Sequence, residues 1–214
     1  MILSMNKTLG IIIPYFMITA QCKDAFENLF NQVKQQLTED MILYIYEDGQ
    51  ISDWLTKEKQ DNIIIVSCNE NKGVSYARNQ GIDYLIDKVK YILFLDSDDR
   101  LDNDYLQTML KHCKKNNYEI VESCFYVKDV KAEFNPNLVR CGVAGSAIQT
   151  KIIKEHRFDE KLQIGEDTKF MKEICDLSKY KKILANTNYY YQLGLNEFSL
   201  TMKYASKIIS IYRN

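Results

Sequence analysis

The amino-acid sequence predicts an α/β fold, in which one mostly parallel central sheet is flanked by helices on both faces. Short apolar runs of strand length alternate along the chain with amphipathic stretches at helical spacing. Such alternation is typical of a parallel sheet built from strand–helix–strand units. With 214 residues, of which 46% are hydrophobic and 27% charged, the chain is long enough for one large core. We therefore expect a single domain over residues 1–214.

Six runs of apolar, β-branched or aromatic residues are predicted to be strands. They are Leu9–Ile13, Met41–Tyr46, Asn62–Ser67, Tyr91–Leu95, Glu119–Val127 and Ile183–Tyr191. Apolar stripes at helical spacing predict one helix along Phe26–Leu37 and another over Asp102–Lys115. Residues 128–148 show weak periodicity and contain Pro136, Gly142 and Gly145, so we expect a loop region there.

Charge and composition disfavour several classes of function, although nucleic acid stays open as an acceptor. The 28 basic and 29 acidic residues nearly cancel, so no global positive field favours nucleic acid as the main ligand. Six cysteines without a CxxC pair and only two histidines disfavour a zinc site. The run Leu9–Ile13 stops at Pro14, and no segment reaches the ~18 apolar residues of a membrane span. We expect a cytoplasmic protein, or one peripheral at the inner face of the membrane.

Acidic residues directly follow two of the predicted strands. Glu47 and Asp48 come after one strand, and the cluster Asp96–Asp99 comes after another. Because ligands of open α/β sheets bind outside the carboxyl ends of the strands, both groups are predicted to line one crevice. Carboxylates this close repel one another, so a hard divalent cation that also binds substrate phosphates is expected, Mn²⁺ or Mg²⁺. The alternative is that these acids are ordinary turn and N-cap residues.

A second acidic pair, Glu166 and Asp167, follows Gly165 and begins an amphipathic stretch. Its apolar face consists of Phe170, Met171, Ile174 and Cys175. Acids in the first turn of a helix also complement the helix dipole, so a structural role as capping residues stays open.

Five segments, in this order, resemble family 2 glycosyltransferases of the GT-A fold. They are Ile11–Phe16 (first strand and Pro-x-Tyr ending), Glu47–Gly49 (Asp-Asp-Gly-Ser turn), Asn71–Gly81 (Asn-x-Gly…Ala-Arg-Asn-x-Gly), Asp96–Asp99 (DxD signature) and Arg157–Asp167 (Phe-Asp-Glu…Glu-Asp). The resemblance implies transfer of a sugar from a nucleoside-diphosphate sugar, with a UDP-sugar favoured, to an acceptor hydroxyl with inversion. It also implies a nucleotide-sugar-binding half over about 9–127 and an acceptor-side half over about 128–214.

The same resemblance implies a role for individual residues. The nucleotide-sugar pocket would comprise Pro14, Phe16, Glu47, Asp48, Arg78, Asp96, Ser97 and Asp98, with Asp48 and Arg78 near the base. Asp98, assisted by Asp96, would hold the divalent metal. Asp167 would be the catalytic base, with Glu166 orienting it or meeting the acceptor. The acceptor side would comprise Asp99, Gly145 and Ser146.

The chain also departs from the family pattern. Phe16 stands where tyrosine is usual, and the tryptophan that often precedes Gly145 is missing. The histidine that often completes the metal shell is missing from Tyr189–Thr201, so either metal dependence is looser than usual or water fills that position.

Other nucleotide-binding proteins fit the sequence less well. A sugar nucleotidyltransferase would need a glycine-rich basic loop after the first strand, and a dehydrogenase would need Gly-x-Gly-x-x-Gly there. Neither is found. A catalytically inactive sugar-nucleotide-binding protein stays open as an alternative.

Overall fold

The computed structural model describes residues 7–115, 117–127, 130–132, 142–174 and 180–191, and nine strands within these ranges form one sheet. Strands β1 to β9 are Lys7–Tyr15, Met41–Asp48, Ile63–Cys68, Val89–Phe94, Arg100–Leu101, Ile120–Val127, Val130–Ala132, Ser146–Gln149 and Lys182–Tyr191. Helices α1 to α6 are Ala20–Gln36, Asp53–Thr56, Val74–Leu85, Tyr105–Lys115, Thr150–Ile153 and Glu166–Ile174. Among the helices of these ranges, none combines the length and the apolar character needed to cross a bilayer.

The order of the strands brings the carboxyl ends of β1, β2, β3, β4, β6 and β9 to one edge of the sheet. The order is β3-β2-β1-β4-β8-β6-β9-β5, and β7 pairs with β6 outside this path. Strands β3, β2, β1 and β4 are parallel. Strand β8 runs antiparallel between β4 and β6, which gives β6 the direction of β4, and β9 is parallel to β6. The predicted α/β fold with a mostly parallel sheet is confirmed, whereas the division into two halves stays a prediction.

Helices cover both faces of the sheet, as expected. Ile11 and Ile13 of β1 are buried in a core that contains residues of α1 and α4, whereas Ile12 belongs to a second core with α3, α5 and α6. This separation follows from the alternation of side chains across a strand. The apolar stripe predicted for the first helix is buried at Phe26, Leu29, Phe30 and Val33.

Two predicted elements differ from those observed. The helix predicted from Asp102 begins at Tyr105, and Asp102 lies before it, where its carboxylate accepts bonds from the backbone and side-chain amides of Asn188 on β9. The loop predicted over 128–148 contains strand β7 and the first three residues of strand β8, and both strands are too short to reveal a periodicity. Pro136, which contributed to that prediction, lies outside the described residues.

Helix α3 approaches β1 closely at Gly81. A Cβ at this position would lie 2.8 Å from both Cγ1 and Cδ1 of Ile12, inside van der Waals contact. Glycine therefore allows the helix that carries Arg78 to lie against the strand that leads into Pro14.

We predict that Gly81→Ala destabilises the protein by about 1–3 kcal/mol, since overpacking against Ile12 exceeds the ~1 kcal/mol that alanine gains in helix propensity. Urea unfolding measures the change. In an Ile12→Ala background the same replacement should cost less, because the clashing side chain is shortened. Full additivity of the two changes would contradict this explanation.

Candidate active site

The acidic groups predicted to share a crevice do meet at one edge of the sheet. Strand β1 lies between β2 and β4, and Tyr15 at its end is in register with Glu47 of β2. On the other side, Leu95 donates its backbone N–H to the carbonyl oxygen of Ile12 (3.1 Å), which places Asp96 beside the same end of β1. The arrangement follows from the sheet order, since both acidic strand ends flank a common neighbour.

The turn after β2 supports an exposed aromatic ring. Phe16 is 40% exposed, and a Cβ on Gly49 would lie 2.9 Å from the Phe16 Cε2 atom. Gly49 also has a φ of 81°, a conformation that favours glycine. The phenylalanine ring therefore lies against the Gly49 backbone. Pro14, two positions earlier and within β1, is partly exposed.

Both acids at the end of β2 are buried and bonded within the protein. The two carboxylate oxygens of Asp48 accept the backbone N–H groups of Lys72 and Gly73, each at 2.8 Å. Glu47 accepts the Ser67 hydroxyl at 2.8 Å and has no exposed surface. Asp48 therefore fixes the loop that leads into α3, and both residues shape the edge beside Phe16.

Arg78 joins the acidic cluster after β4 to the acidic pair of α6. Its Nη2 lies 2.7 Å from Asp96 Oδ1, and its Nη1 lies 3.0 Å from Glu166 Oε1. The guanidinium is buried, and its Cζ lies 5.2 Å from the centre of the Phe158 ring. Burial alone lowers the pKa of Arg78, but the charges of Asp96 and Glu166 outweigh it and raise the pKa above its usual value. Arg78 thus faces two carboxylates, where the sequence predicted the surroundings of a nucleobase.

Asp98 and Asp167, the neighbours of the two acids that pair with Arg78, have raised pKa values. Burial, with the nearby charge of Asp96, raises the pKa of Asp98 to about 6. Burial also raises the pKa of Asp167 to about 6; Glu166 adds to the rise, and Arg78 opposes it. Ionisable groups shifted toward neutral pH in a crevice are candidates for chemistry. Ser97, between Asp96 and Asp98, is partly exposed at the same place.

Asp99 is buried and bonded to a tyrosine of β9. It is 1% exposed, and its Oδ2 accepts the hydroxyl of Tyr189 on β9. The same hydroxyl accepts the backbone N–H of Asp96 at 3.0 Å. The structure therefore places Asp99 inside the protein and bonded to β9, and its role on the acceptor side stays a prediction.

Gly145 and Ser146 are buried where β8 joins β4. Gly145 has a φ of 74° and donates its N–H to the carbonyl oxygen of Phe94 (2.8 Å), while Ser146 is fully buried. Ser146 accordingly has no exposed surface for an acceptor. Gly142, three residues before Gly145, lies nearer to the acids: a Cβ there would be 3.2 Å from Asp167 Oδ2.

Sequence reasoning missed the contribution of Tyr189. The strand was predicted, but Tyr189 bonds residues far away in the sequence: Asp96 lies 93 positions earlier and Asp99 lies 90 positions earlier. No local pattern in the sequence marks these contacts. Alternation along the strand would have indicated only that Tyr189 is buried.

Carboxylates are the metal-binding groups that this edge offers. Within the described ranges, no three or more side chains of Asp, Glu, His or Cys are gathered to hold a metal ion by themselves. The segment 192–201, part of the stretch in which the family's histidine is missing, lies outside those ranges.

A family model and a curated relative both match most of the chain. The model of the family described as Glycosyl transferase family 2 matches residues 11–174. The chain is 27% identical over 214 residues to the Minor teichoic acid biosynthesis protein GgaB of Bacillus subtilis (strain 168), covering 89% of this chain but only 23% of GgaB.

Solved structures of TarS 1–349 from S. aureus are similar in fold. The complex with UDP has a TM-score of 0.70 at 14% identity and covers 87% of this chain and 60% of that chain. The complex with UDP-GlcNAc has a TM-score of 0.70 at 15% identity and covers 86% of this chain and 58% of that chain. The chain thus spans only part of the length of each of these proteins.

We predict that Arg78→Met destabilises the protein by about 3–5 kcal/mol, because it removes the cation that pairs with half-buried Asp96 and leaves the buried Glu166 carboxylate without a partner. Adding Glu166→Gln should recover part of the loss, since one uncompensated charge is removed. Urea unfolding of the single and double variants measures both effects. As a control, Lys169→Met removes the cation of the exposed pair with Asp159 and should shift the midpoint little. Equal effects of Arg78→Met and Lys169→Met would contradict the role of Arg78.

Proposed function

Because the chain belongs to glycosyl transferase family 2, we propose that it transfers a sugar from a nucleoside-diphosphate sugar, with a UDP-sugar favoured, to an acceptor hydroxyl. The observation that carries the proposal is the Arg78 bridge between Asp96 and Glu166, which brings the acidic cluster and the acidic pair of α6 into one crevice. The UDP and UDP-GlcNAc complexes of TarS support the donor class. The name of GgaB, a teichoic acid biosynthesis protein, supports a teichoic acid as the acceptor.

The donor would bind at the edge formed by β1, β2 and β4. The exposed Phe16 ring offers an apolar face to a nucleobase. Asp48 holds the loop at Lys72 and Gly73 and so shapes the wall of the same pocket. Partly exposed Ser97 would face the ribose or the diphosphate.

Asp167 is proposed as the general base. The acceptor oxygen would attack the anomeric carbon while the bond from that carbon to the diphosphate breaks, and the acceptor proton would pass to the Asp167 carboxylate. Because one displacement occurs on one face of the sugar, the configuration would invert. A carboxyl with a pKa of about 6 is mostly ionised at neutral pH yet more basic than an exposed aspartate. Glu166, fixed by Arg78, would orient this helix end.

A divalent metal, Mn²⁺ or Mg²⁺, is proposed to bind at Asp98 with help from Asp96. The carboxyl groups fit such an ion, because Asp98 is partly buried beside a second acid, and a cation would offset the effects that raise its pKa. Two carboxylates leave coordination positions for the oxygens of the diphosphate. When bound, the ion would neutralise charge on the leaving diphosphate.

We predict that Asp98→Asn weakens binding of UDP in the presence of Mn²⁺ far more than in chelator, since the lost charge acts through the ion. Calorimetric titration of UDP under the two conditions measures the difference. Asp104→Asn, an exposed acid at the start of α4, serves as control and should change neither affinity. The metal assignment is rejected if Asp98→Asn lowers the affinity equally in both conditions.

We predict that Asp167→Asn lowers sugar transfer by ~10²–10⁴-fold while the affinity for UDP stays nearly constant, because the base acts on the acceptor and not on the diphosphate. Turnover with UDP-sugars and calorimetry with UDP measure these effects on one preparation. Asp24→Asn, an exposed acid of α1, is the control and should leave both unchanged. Retention of more than about a tenth of wild-type turnover would leave Asp167 as a helix cap only.

The same variant should be more stable than the wild type at pH 8. The pKa of Asp167 is raised on folding, so its ionisation destabilises the folded state above about pH 6, and this penalty vanishes below about pH 4. Asp167→Asn should therefore gain on the order of 1–3 kcal/mol at pH 8 and little at pH 4. Urea unfolding at the two pH values checks the sign. A loss of stability at pH 8 would contradict it.

A further inference from the structure

A stacked pair of aromatic rings, one exposed and one half-buried, lies at the carboxyl ends of β6 and β9. The rings of Tyr126 and Tyr190 are stacked, with centroids 5.4 Å apart and planes at 27°. The two residues are in register on neighbouring parallel strands. Tyr190 is 37% exposed, and because Tyr126 covers one side of its ring, this exposure falls on the other side and on the edge.

The pair is fixed beside the acidic cluster. Tyr189, the neighbour of Tyr190, bonds the backbone N–H of Asp96 and the carboxylate of Asp99. Tyr189 is buried in the core shared with α1 and α4. Because side chains alternate along a strand, Tyr190 lies on the opposite face of the sheet, the face that carries α3 and α6. Tyr190 and the proposed base Asp167 therefore share one face and one edge.

The orientation of the Tyr190 ring is held by Asp102. The Tyr190 hydroxyl donates to Asp102 Oδ1 at 2.9 Å. The other carboxylate oxygen, Oδ2, accepts the backbone N–H of Asn188 at 2.8 Å and its side-chain amide at 2.7 Å. A ring anchored at its hydroxyl and backed by Tyr126 presents a preorganised apolar surface, which lowers the entropic cost of binding.

A cationic residue stands directly next to this surface. Arg100 of β5 is in register with Tyr190 of β9, and the pairing is antiparallel. Residues directly opposite on antiparallel strands share a face, with Cβ atoms about 4.5–5.5 Å apart. Arg100 is exposed. Unlike Arg78, it is therefore accessible to an anionic ligand.

We propose that Tyr190, backed by Tyr126, binds a sugar ring of the acceptor by stacking, and that Arg100 holds a phosphate group of the same acceptor. The electron-rich face of an aromatic ring attracts the C–H groups on one face of a pyranose, and a guanidinium pairs with phosphate oxygens. The inference rests on the proposed function and specifies it: the acceptor is a phosphorylated glycan. An open-chain polyol phosphate has no ring face to stack and would use Arg100 alone.

The test measures binding of small probes to protein saturated with UDP and Mg²⁺, so that the donor site is filled. The probes are the methyl glycosides of glucose, galactose and N-acetylglucosamine, the 1-phosphates of the same sugars, and glycerol 3-phosphate. Ligand-observed NMR titration gives their affinities. At least one methyl glycoside should bind, and its 1-phosphate should bind more tightly.

Variants separate the two contributions. Tyr190→Ala should weaken binding of the glycosides and the sugar phosphates by about 2- to 10-fold. Tyr190→Phe and Tyr190→Trp, which keep a ring, should retain most of it. Arg100→Gln should weaken binding of the 1-phosphates by about two- to fivefold and leave the methyl glycosides unchanged. Thermal unfolding confirms that each variant is folded.

Two outcomes would overturn the subsite. One is that no sugar probe binds to the wild type; the other is that Tyr190→Ala binds the glycosides as well as the wild type does. Tight binding of glycerol 3-phosphate that exceeds every sugar phosphate would also reject the ring-binding role. Failure of the proposed function gives a different result: UDP-sugars would not turn over, while the methyl glycosides would still bind in a Tyr190-dependent manner.

Discussion

The ion pairs of Arg78 with Asp96 and Glu166 are the constraint on which the active-site edge depends. Burial of a guanidinium destabilises the folded state unless carboxylates compensate its charge. The packing of α3 with Arg78 buried therefore depends on Asp96 after β4 and on Glu166 of α6. The geometry of the cation, with two forked donors, fixes the direction of each carboxylate. The position of α3 and the positions of Asp96 and Glu166 are therefore coupled through Arg78.

This arrangement divides the acids of the edge into two kinds. Asp96 and Glu166 compensate Arg78, and they form a fixed frame. Asp98 and Asp167 stand beside that frame with pKa values raised to about 6, which means that the fold bears an energetic cost to keep them ionised at neutral pH. Such a cost is common where function requires a destabilised group. Charge compensation at one pair of acids thus leaves the other pair available for ligands.

Local sequence patterns predicted the fold better than the contacts of the site. Strand-length apolar runs and helical stripes carry their own periodicity, and the position of acids after strands placed them at the correct edge. The short strand β8 has too few residues for a pattern, and Asp102, predicted to begin a helix, lies before it and bonds Asn188 of β9. The burial of Asp99 depends on Tyr189, 90 positions away, and no local rule encodes that partner.

Two hydrogen bonds join the side chain of Asn79 on α3 to the backbone of Phe158, and they affect the order in which the protein can fold during synthesis. The Asn79 amide bonds both the N–H and the carbonyl oxygen of Phe158, at 2.9 and 3.0 Å, across 79 positions of sequence. During synthesis the amino-terminal strands emerge first, and α3 can pack on β1 before α6 exists. Its Arg78 can pair early with Asp96, 18 positions later, but its second carboxylate, Glu166, is made only 88 positions after Arg78. The active site is thus assembled last, and an interrupted chain would contain most of the sheet but no completed centre.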